Sequence, residues 1–365
     1  MNRRVFLAGS ATACSVMGSA AQLASASTPG ESDPTRKDHP LLGALKDRWI
    51  RPAADDKQLI WGIDGGIQVG LWPASLEGGG DGGPRGLLRI GYPILDGGKR
   101  VGLINFIAVE PIVNGKRGFS ELEHSSMDQK QGRAFWTGSQ SADRASADPG
   151  VIRTVDGVER LAVRIYVERF ANGAIPMVDL EMRADRPGEV LMTVTSVPGS
   201  AMMDKCILSA TMGNYGRLRD LWLRDGAVHS GDVWKDFAGE EFTKDAHFPA
   251  DRMVRLPGGD LIVCATTDEL DPRSVPPDPA GPGWAYRGSF PVTQYWRLPK
   301  DSCGSQDVRV RVNGRRLYWA THNPIPGGIA YENFDLEQPF CEGQSSIFGL
   351  TRLSPKDYYA LKSAK

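Results

Sequence analysis

Large apolar and polar residues alternate along several stretches of the chain. Residues 161–167, 178–182 and 308–312 each place a large apolar side chain at every second position. This period of two is typical of strands that turn one face to a core and the other to water or a ligand. Residues 101–113 are apolar almost throughout, which predicts a central strand buried on both faces.

Glycine-containing dipeptides that favour tight turns separate these stretches. The two central residues of a type I′ hairpin turn have positive φ, which Gly and Asn adopt at low cost. Such pairs are Asn114-Gly115, Asp156-Gly157, Asn172-Gly173, Asp225-Gly226, Gly258-Gly259 and Asn313-Gly314. No amphipathic helical segment separates the strands, which disfavours a βαβ fold. The pattern predicts an all-β fold, with one large antiparallel β-sandwich over residues 51–365 and two packed β domains as the alternative.

Both ends of this region carry helical signals. Residues 39–49 have apolar side chains at helical spacing, so residues 27–50 are expected to form a flexible N-terminus and a short helix. At the other end, Ser354 is a capping residue, Pro355 suits the first helical position, and Asp357 completes a capping box.

Residues 1–26 resemble an export signal. Arg3-Arg4 precede a weakly apolar run, and Ala24-Ser25-Ala26 forms an A-x-A cleavage site. The motif favours a twin-arginine signal over a Sec signal, and predicts a periplasmic or secreted protein. No later run reaches the about 20 apolar residues that a membrane span requires.

Composition and charge limit the kinds of molecule that the protein is expected to bind. The 365 residues carry a formal net charge of −1, so no overall field favours nucleic acid, although a local basic strip suits an acidic sugar. After signal cleavage Cys206, Cys264, Cys303 and Cys341 remain. Cys206 and Cys264 lie in apolar strands and are expected to be buried free thiols. The sequence leaves the disulfide pairing open.

Familiar catalytic motifs are absent. The chain has no G-x-x-x-x-G-K-[ST], H-E-x-x-H or G-x-S-x-G motif, and its five histidines are scattered. We therefore expect neither a metal site nor an organic cofactor.

Three clusters carry candidate chemistry. The first contains Arg117, Glu121, Glu123 and His124 and follows the 101–113 strand. If this segment is extended, Glu121 and Glu123 share one face and His124 takes the other. A Glu pair near Arg and His can divide acid and base roles, because neighbouring charges separate pKa values. A solvated charged strand is the alternative.

The second cluster contains Asn214, Tyr215, Arg217, Arg219 and Trp222 at a glycine-flanked turn. In uronate β-elimination a cation or amide neutralises the substrate carboxylate, and Tyr or His removes the C5 proton. This cluster holds those residue types, and a structural turn is the alternative.

The third cluster combines aromatic, amide and acidic residues around a Pro-Gly loop, as sugar sites do. Its members are Trp319, His322, Asn323, Glu332, Asp335 and Glu342. The alternative to a sugar site is that the aromatic residues pack in the core and the acidic residues keep the loop solvated.

The chain resembles secreted carbohydrate-active sandwich proteins, which include galactose-mutarotase-like folds and the sandwich domains of several polysaccharide lyases. The resemblance covers roughly residues 55–350 and rests on the strand pattern. Tyr331-Glu332-Asn333-Phe334 with Glu342-Gly343-Gln344 is similar to the carboxylate-bearing late strands of mutarotase-like proteins. It implies a supersandwich-like fold with a concave sheet face lined by His, Arg, Glu and Trp.

The leading hypothesis is an exported enzyme, a lyase or hydrolase, that cleaves a poly- or oligosaccharide by acid/base chemistry. Tyr215 or His322 is then the base, and Glu332 assists. Arg217 or Arg219 binds a substrate carboxylate. The alternatives are a non-catalytic sugar-binding or cell-envelope protein, a sugar epimerase of mutarotase-like fold, and a cofactor-dependent redox protein.

Overall fold

The alternating segments form strands in the computed structural model, and strands dominate every described part of the chain. The structure describes residues 48–73, 85–93, 101–143, 146–213, 217–268, 292–318 and 322–362, and the backbone alone of 144, 278–281, 284–286 and 363. All of these residues belong to one unit, Asp33–Lys365. The predicted N-terminal export signal lies outside the described residues.

The described residues form 23 strands and two short helices. In chain order the strands are β1 (Trp49–Ile50), β2 (Leu59–Ile63), β3 (Gln68–Leu71), β4 (Leu87–Pro93), β5 (Val101–Val113), β6 (Lys116–Arg117), β7 (Phe135–Trp136), β8 (Val151–Val155), β9 (Val158–Val167), β10 (Pro176–Arg183), β11 (Arg186–Ser196), β12 (Lys205–Thr211), β13 (Leu218–Leu223), β14 (Gly226–His229), β15 (Ala246–Pro249), β16 (Val254–Arg255), β17 (Leu261–Thr267), β18 (Asp278–Gly281), β19 (Trp284–Tyr286), β20 (Thr293–Leu298), β21 (Arg309–Arg315), β22 (Ala330–Glu337) and β23 (Gln344–Thr351). The helices are α1 (Ser230–Val233) and α2 (Pro355–Ser363).

The strands pair into two layers that are joined along one side. The first sheet has the order β1-β2-β3-β4-β5-β12-β22-β21-β15, and the second has the order β8-β9-β10-β11-β23-β20-β17-β13. Leu218 of β13 pairs with Tyr331 of β22 and joins the layers. Among the described strands only the β5–β19 pairing is parallel. The prediction of an all-β, antiparallel fold is confirmed.

One large apolar core lies between the layers. Residues of both sheets contribute to it, from Trp61 and Ile107 of the first to Val163 and Phe348 of the second. Trp296 of the second sheet donates its indole N–H to the backbone oxygen of Phe334 in the first, at 2.8 Å. Burial of each large apolar side chain contributes about 1.5–3 kcal/mol, so this core is the main stabilising element.

The predicted central strand is confirmed as β5, Val101–Val113, which lies between β4 and β12. Two predicted hairpin turns show positive φ at both residues, with 48° and 72° at Asn114-Gly115 and 51° and 76° at Asp156-Gly157. The turn predicted at Asn313-Gly314 is wrong. These residues lie inside β21, where the β21–β22 register shifts. Glycine suits this position because a Cβ on Gly314 would lie only 2.8 Å from the backbone oxygen of Ala330.

The helix predicted near the N-terminus is wrong at Trp49, whereas the one predicted at the C-terminus is present. Trp49, placed in a helix by its spacing, lies in β1, where it pairs with Ile63 of β2. The rest of that predicted helix lies outside the described residues. At the C-terminus Ser354 Oγ accepts the Asp357 N–H at 3.2 Å, which confirms the N-cap, and it donates to the Asp357 carboxylate at 2.6 Å. Among the described residues no helix is long and apolar enough to cross a bilayer.

The four cysteines divide into one disulfide and two thiols. Cys303 and Cys341 are bonded, while Cys206 and Cys264 are buried free thiols, as the sequence predicts. The disulfide joins the β20–β21 connection to the β22–β23 connection across 38 residues of chain.

Reduction of this disulfide is expected to lower the free energy of unfolding by about 2–4 kcal/mol, because the open chain gains conformational entropy when it unfolds. Urea unfolding with and without a thiol reductant measures the change. The double variant Cys303→Ser/Cys341→Ser is the control, and its stability should match that of the reduced protein. Equal stability of the oxidised and reduced wild-type protein would contradict this expectation.

Candidate functional site

One face of the first sheet carries polar side chains in rows that cross its strands. Arg89, Phe106, Thr211, Asn333 and Asn313 lie opposite one another on β4, β5, β12, β22 and β21. Residues opposite one another on neighbouring strands share a face of the sheet. We call this face, defined by this row and the next, the polar face.

The next row of the polar face contains Ala108, Ser209, Asp335, Arg311 and His247. Ala108 opposes Ser209, and Arg311 opposes both Asp335 and His247. The Ser209 hydroxyl donates to Asp335 at 2.8 Å. Ser209, Asp335 and Arg311 are each no more than 1% exposed, so this row places charges inside the protein. Buried charges are stable only with partners, which this row must supply.

Arg311 is the centre of those partnerships. Its guanidinium donates to the two carboxylate oxygens of Asp335 at 2.9 and 2.6 Å, and to Asp245 at 3.2 Å. It also lies 3.4 Å from a carboxylate oxygen of Glu110, which is 2% exposed. The Arg311 guanidinium therefore contacts three carboxylates, those of Asp335, Asp245 and Glu110.

A second arginine approaches the same carboxylates from the surface. Arg117 forms an ion pair with Glu110 and lies 3.8 Å from Asp245, and its side chain is 19% exposed. Glu121, half-buried, is electrostatically coupled to Glu110. We call Glu110, Arg117, Glu121, Asp245, Arg311 and Asp335 the carboxylate cluster. The cluster thus contains two guanidinium groups and four carboxyl groups.

Burial and like charge separate the protonation states of these carboxyl groups. Burial, followed by the charge of Glu110, raises the pKa of Glu121 to about 8, while Arg117 opposes this rise. The pKa of Glu110 is also raised by burial, against the opposing charges of Arg117 and Arg311. Glu121 is thus a carboxylic acid at neutral pH, close to the surface and beside a guanidinium. That is the state a general acid requires.

The first sequence cluster is divided by the structure. Residues 120–122 form a turn rather than a strand, so the predicted sharing of a face by Glu121 and Glu123 is wrong. Beyond this turn the Glu123 carboxylate forms an ion pair with the Arg133 guanidinium at 2.5 Å and accepts the Ala171 N–H at 3.0 Å. His124 is exposed and forms an isolated β-bridge. Arg117 and Glu121 are the members of this cluster that reach the carboxylate cluster.

The second and third sequence clusters lie close together. The Arg217 guanidinium donates to the Tyr318 hydroxyl at 3.2 Å. Tyr318 in turn accepts a backbone hydrogen bond from His322, at 2.9 Å, and donates one to Asn323, at 2.8 Å. The Glu332 backbone oxygen accepts the Met212 N–H at 2.9 Å. Asn214, Tyr215 and Trp319 lie outside the described residues.

Several predicted residues of these clusters engage the protein itself. Arg219, with a side chain that is 0% exposed, pairs with Asp268 at 2.6 Å and bonds the backbone oxygen of Pro326. Trp222 donates its indole N–H to Thr266 at 2.9 Å. Glu342 accepts the Ser196 N–H at 2.9 Å on β11, in the second sheet. The predicted substrate-binding role of Arg219 does not fit its buried pairing.

His229, which was not among the predicted site residues, lies beside Asp268, but both of its ring nitrogens already have partners within the protein. Its Nε2 lies 3.4 Å from Asp268, and its Nδ1 accepts the Gly231 N–H at 3.1 Å. A base needs a nitrogen lone pair directed at the substrate. The imidazole therefore serves as a helix cap in this conformation.

Sequence reasoning missed three members of the carboxylate cluster, Glu110, Asp245 and Arg311. Glu110 had a readable signal, because it is the one charged residue in the long and mostly apolar strand Val101–Val113. A charge in such a strand must be paired or protonated. The described residues contain no group of three or more His, Cys, Asp or Glu arranged to hold a metal ion.

Comparison with known proteins adds no family to this description. No protein-family model matches the chain, and no curated protein matches its sequence. Arguments about function therefore rest on the site itself.

Proposed function

We propose that the protein is an exported enzyme that cleaves a poly- or oligosaccharide by acid/base chemistry, with Glu121 as the general acid. The observation that carries the proposal is the position of Glu121, half-buried within the electrostatic reach of Glu110 and Arg117, where burial and then the charge of Glu110 raise its pKa to about 8. Hydrolysis and β-elimination both require a proton on the leaving oxygen.

The cluster accommodates Glu121 both as the protonated acid before the transfer and as the carboxylate after it. In hydrolysis water attacks the anomeric carbon and loses a proton to solvent, and in β-elimination a base removes the C5 proton so that a C4–C5 double bond forms. In both, the C–O bond breaks, its electron pair moves to the leaving oxygen, and that oxygen takes the Glu121 proton. The carboxylate left on Glu121 then faces Arg117, whose charge favours the ionised form. Glu110 remains held by Arg117 and Arg311 throughout. Its position fixes the two guanidinium groups.

The carboxylate cluster reaches the surface through Arg117, Asp245 and Glu121, which are its partly exposed charged groups. Phe119 packs beside Arg117, with 5.4 Å between the guanidinium carbon and the ring centroid. Sugars bind where aromatic faces stand next to a few convergent polar groups. Export is proposed from the N-terminal signal, and the Cys303–Cys341 disulfide supports an oxidising compartment.

The test is incubation of the mature protein with a panel of acidic and neutral polysaccharides. We expect cleavage of at least one polysaccharide. Absorbance of an unsaturated uronate identifies a lyase, and new reducing ends without that absorbance identify a hydrolase. Binding of a glycan with no cleavage of any panel member would overturn the proposal and leave a sugar-binding protein.

A further inference from the structure

A second group of charged side chains lies along β21 from the carboxylate cluster. Arg315 is four residues beyond Arg311, and the rise of a strand places the two about 13 Å apart. The Phe242 ring packs over Arg315, with 4.9 Å from the guanidinium carbon to the ring centroid. Thr243 fixes this segment through its N–H, which bonds Gly314 at 2.9 Å, and its hydroxyl, which accepts the Gly314 N–H at 2.8 Å.

Glu332 joins this group through a bulge. Asn313 opposes Asn333 and Gly314 opposes Tyr331, so Glu332 is the extra residue on β22. Bulges redirect side chains and are enriched beside active sites. Arg315 is the charged neighbour that lowers the pKa of Glu332, while burial raises that pKa to about 7. The two side chains therefore interact electrostatically across the bulge.

Arg315 and Glu332 are both buried, and in the described part of the chain Arg315 lacks a hydrogen-bond partner for one of its nitrogens. They are 2% and 5% exposed, and Arg315 Nε has no hydrogen-bond partner among the described residues. Burial raises the pKa of Glu332, and the charge of Arg315 opposes that rise. A buried donor without a partner is costly, so Arg315 is better satisfied when a polar ligand group lies there.

Phe242 supplies the aromatic surface for such a ligand. It is 38% exposed, one of six large exposed apolar side chains among the described residues. The segment that carries it also carries Asp245, which contacts Arg117 and Arg311 in the carboxylate cluster. A ligand that extends along residues 242–245 thus meets both groups.

We propose that Phe242, Arg315 and Glu332 form a subsite for a sugar ring of the substrate, separate from the bond that is cut. The ring stacks on Phe242, one hydroxyl accepts from Arg315, and a second hydroxyl bonds the Glu332 carboxyl. This inference rests on the proposed function, because it places the subsite on the same glycan that Glu121 cleaves. The subsite governs affinity, and Glu121 governs the chemical step.

Calorimetric titration of the Glu121→Gln protein with tetrasaccharides tests the subsite. The probes are the tetrasaccharides of cellulose, xylan, polygalacturonate and chondroitin, each in turn. We expect Phe242→Ala and Arg315→Gln, made separately in this background, to raise the Kd of the bound probe about tenfold or more, because each removes a direct contact. Met202→Ala, at a side chain that is 88% exposed, is the matched control and should bind like the parent.

The outcomes separate this inference from the proposed function. Unchanged affinity in the Phe242→Ala protein overturns the subsite and leaves the role of Glu121 intact. Binding of a probe by a wild-type protein that cleaves no polysaccharide of the panel overturns the proposed function alone. A wild-type protein that binds none of the four probes overturns both. Phe242 is partly exposed, so the test stands even if Arg315→Gln fails to fold.

Discussion

Replacement of Glu121 by glutamine is expected to lower kcat for glycan cleavage by about 10²–10⁴-fold, because an amide cannot deliver the proton that the leaving oxygen requires. The side chain is partly exposed and keeps its shape, so the fold should be retained. Glu159→Gln, at a side chain that is 46% exposed on the β8–β9 hairpin, is the control and should retain wild-type activity. A Glu121→Gln enzyme with more than half of the wild-type kcat would exclude Glu121 as the acid.

The same carboxyl sets a pH limit on activity and stability. Because its pKa is raised to about 8, cleavage should fall as the pH rises through 8 and Glu121 loses its proton. The folded protein holds this proton more tightly than the unfolded chain. Its stabilising contribution is therefore complete below about pH 4.5 and is lost as the pH rises through 8. The Glu121→Gln protein should lack this loss, which urea unfolding between pH 6 and 10 would detect.

Replacement of Arg311 by methionine is expected to lower the free energy of unfolding by about 3–5 kcal/mol. The change leaves Asp335, which is 0% exposed, and Glu110 without the guanidinium that both contact. A buried carboxylate without its partner must take up a proton or remain unfavourably charged. Urea denaturation at pH 7 measures the loss.

A surface arginine provides the comparison. Arg164 bonds both carboxylate oxygens of Asp179, at 2.7 and 2.8 Å, but its side chain is 49% exposed. Solvent screens such pairs, so Arg164→Met should cost no more than about 1 kcal/mol. Equal effects of the two substitutions would show that the carboxylate cluster contributes nothing beyond an ordinary surface ion pair.

The parts of the fold that could be predicted have local causes. Alternation fixes which face of β9 and β10 is buried, and the apolar run of β5 fixes its central place in the sheet. The turn at Asn114-Gly115 and the cap at Ser354 each depend on a few consecutive residues. Such signals survive in a single sequence because their partners lie close along the chain.

The parts that failed depend on distant neighbours. Asn313-Gly314 has the composition of a turn, yet pairing with β22 turns it into a bulge inside a strand. Glu121 and Glu123 were expected on one face, but a turn at residues 120–122 separates them. Local composition was right in both places, and tertiary pairing decided the outcome.

The candidate site was only partly predictable for the same reason. Arg117 and Glu121 were identified from their cluster, but the Glu110 carboxylate that Arg117 binds is also bound by Arg311, which lies 201 residues from Glu110 in the chain. Nothing local to Arg311 distinguishes it from other arginines in alternating strands. Sheet pairing of β5, β12, β22 and β21 creates the neighbourhood. The site thus depends on which residues of these four strands lie opposite one another, and a single sequence does not specify that pairing.

The most direct measurement is the titration of the Glu121 carboxyl carbon by NMR, with Glu121→Gln used to assign its signal. We predict a titration midpoint near pH 8, together with a second perturbed carboxyl from Glu110. A Glu121 midpoint near 4.5, the ordinary value for glutamate, would show that no acid is held ready in the carboxylate cluster at neutral pH, and would contradict the account.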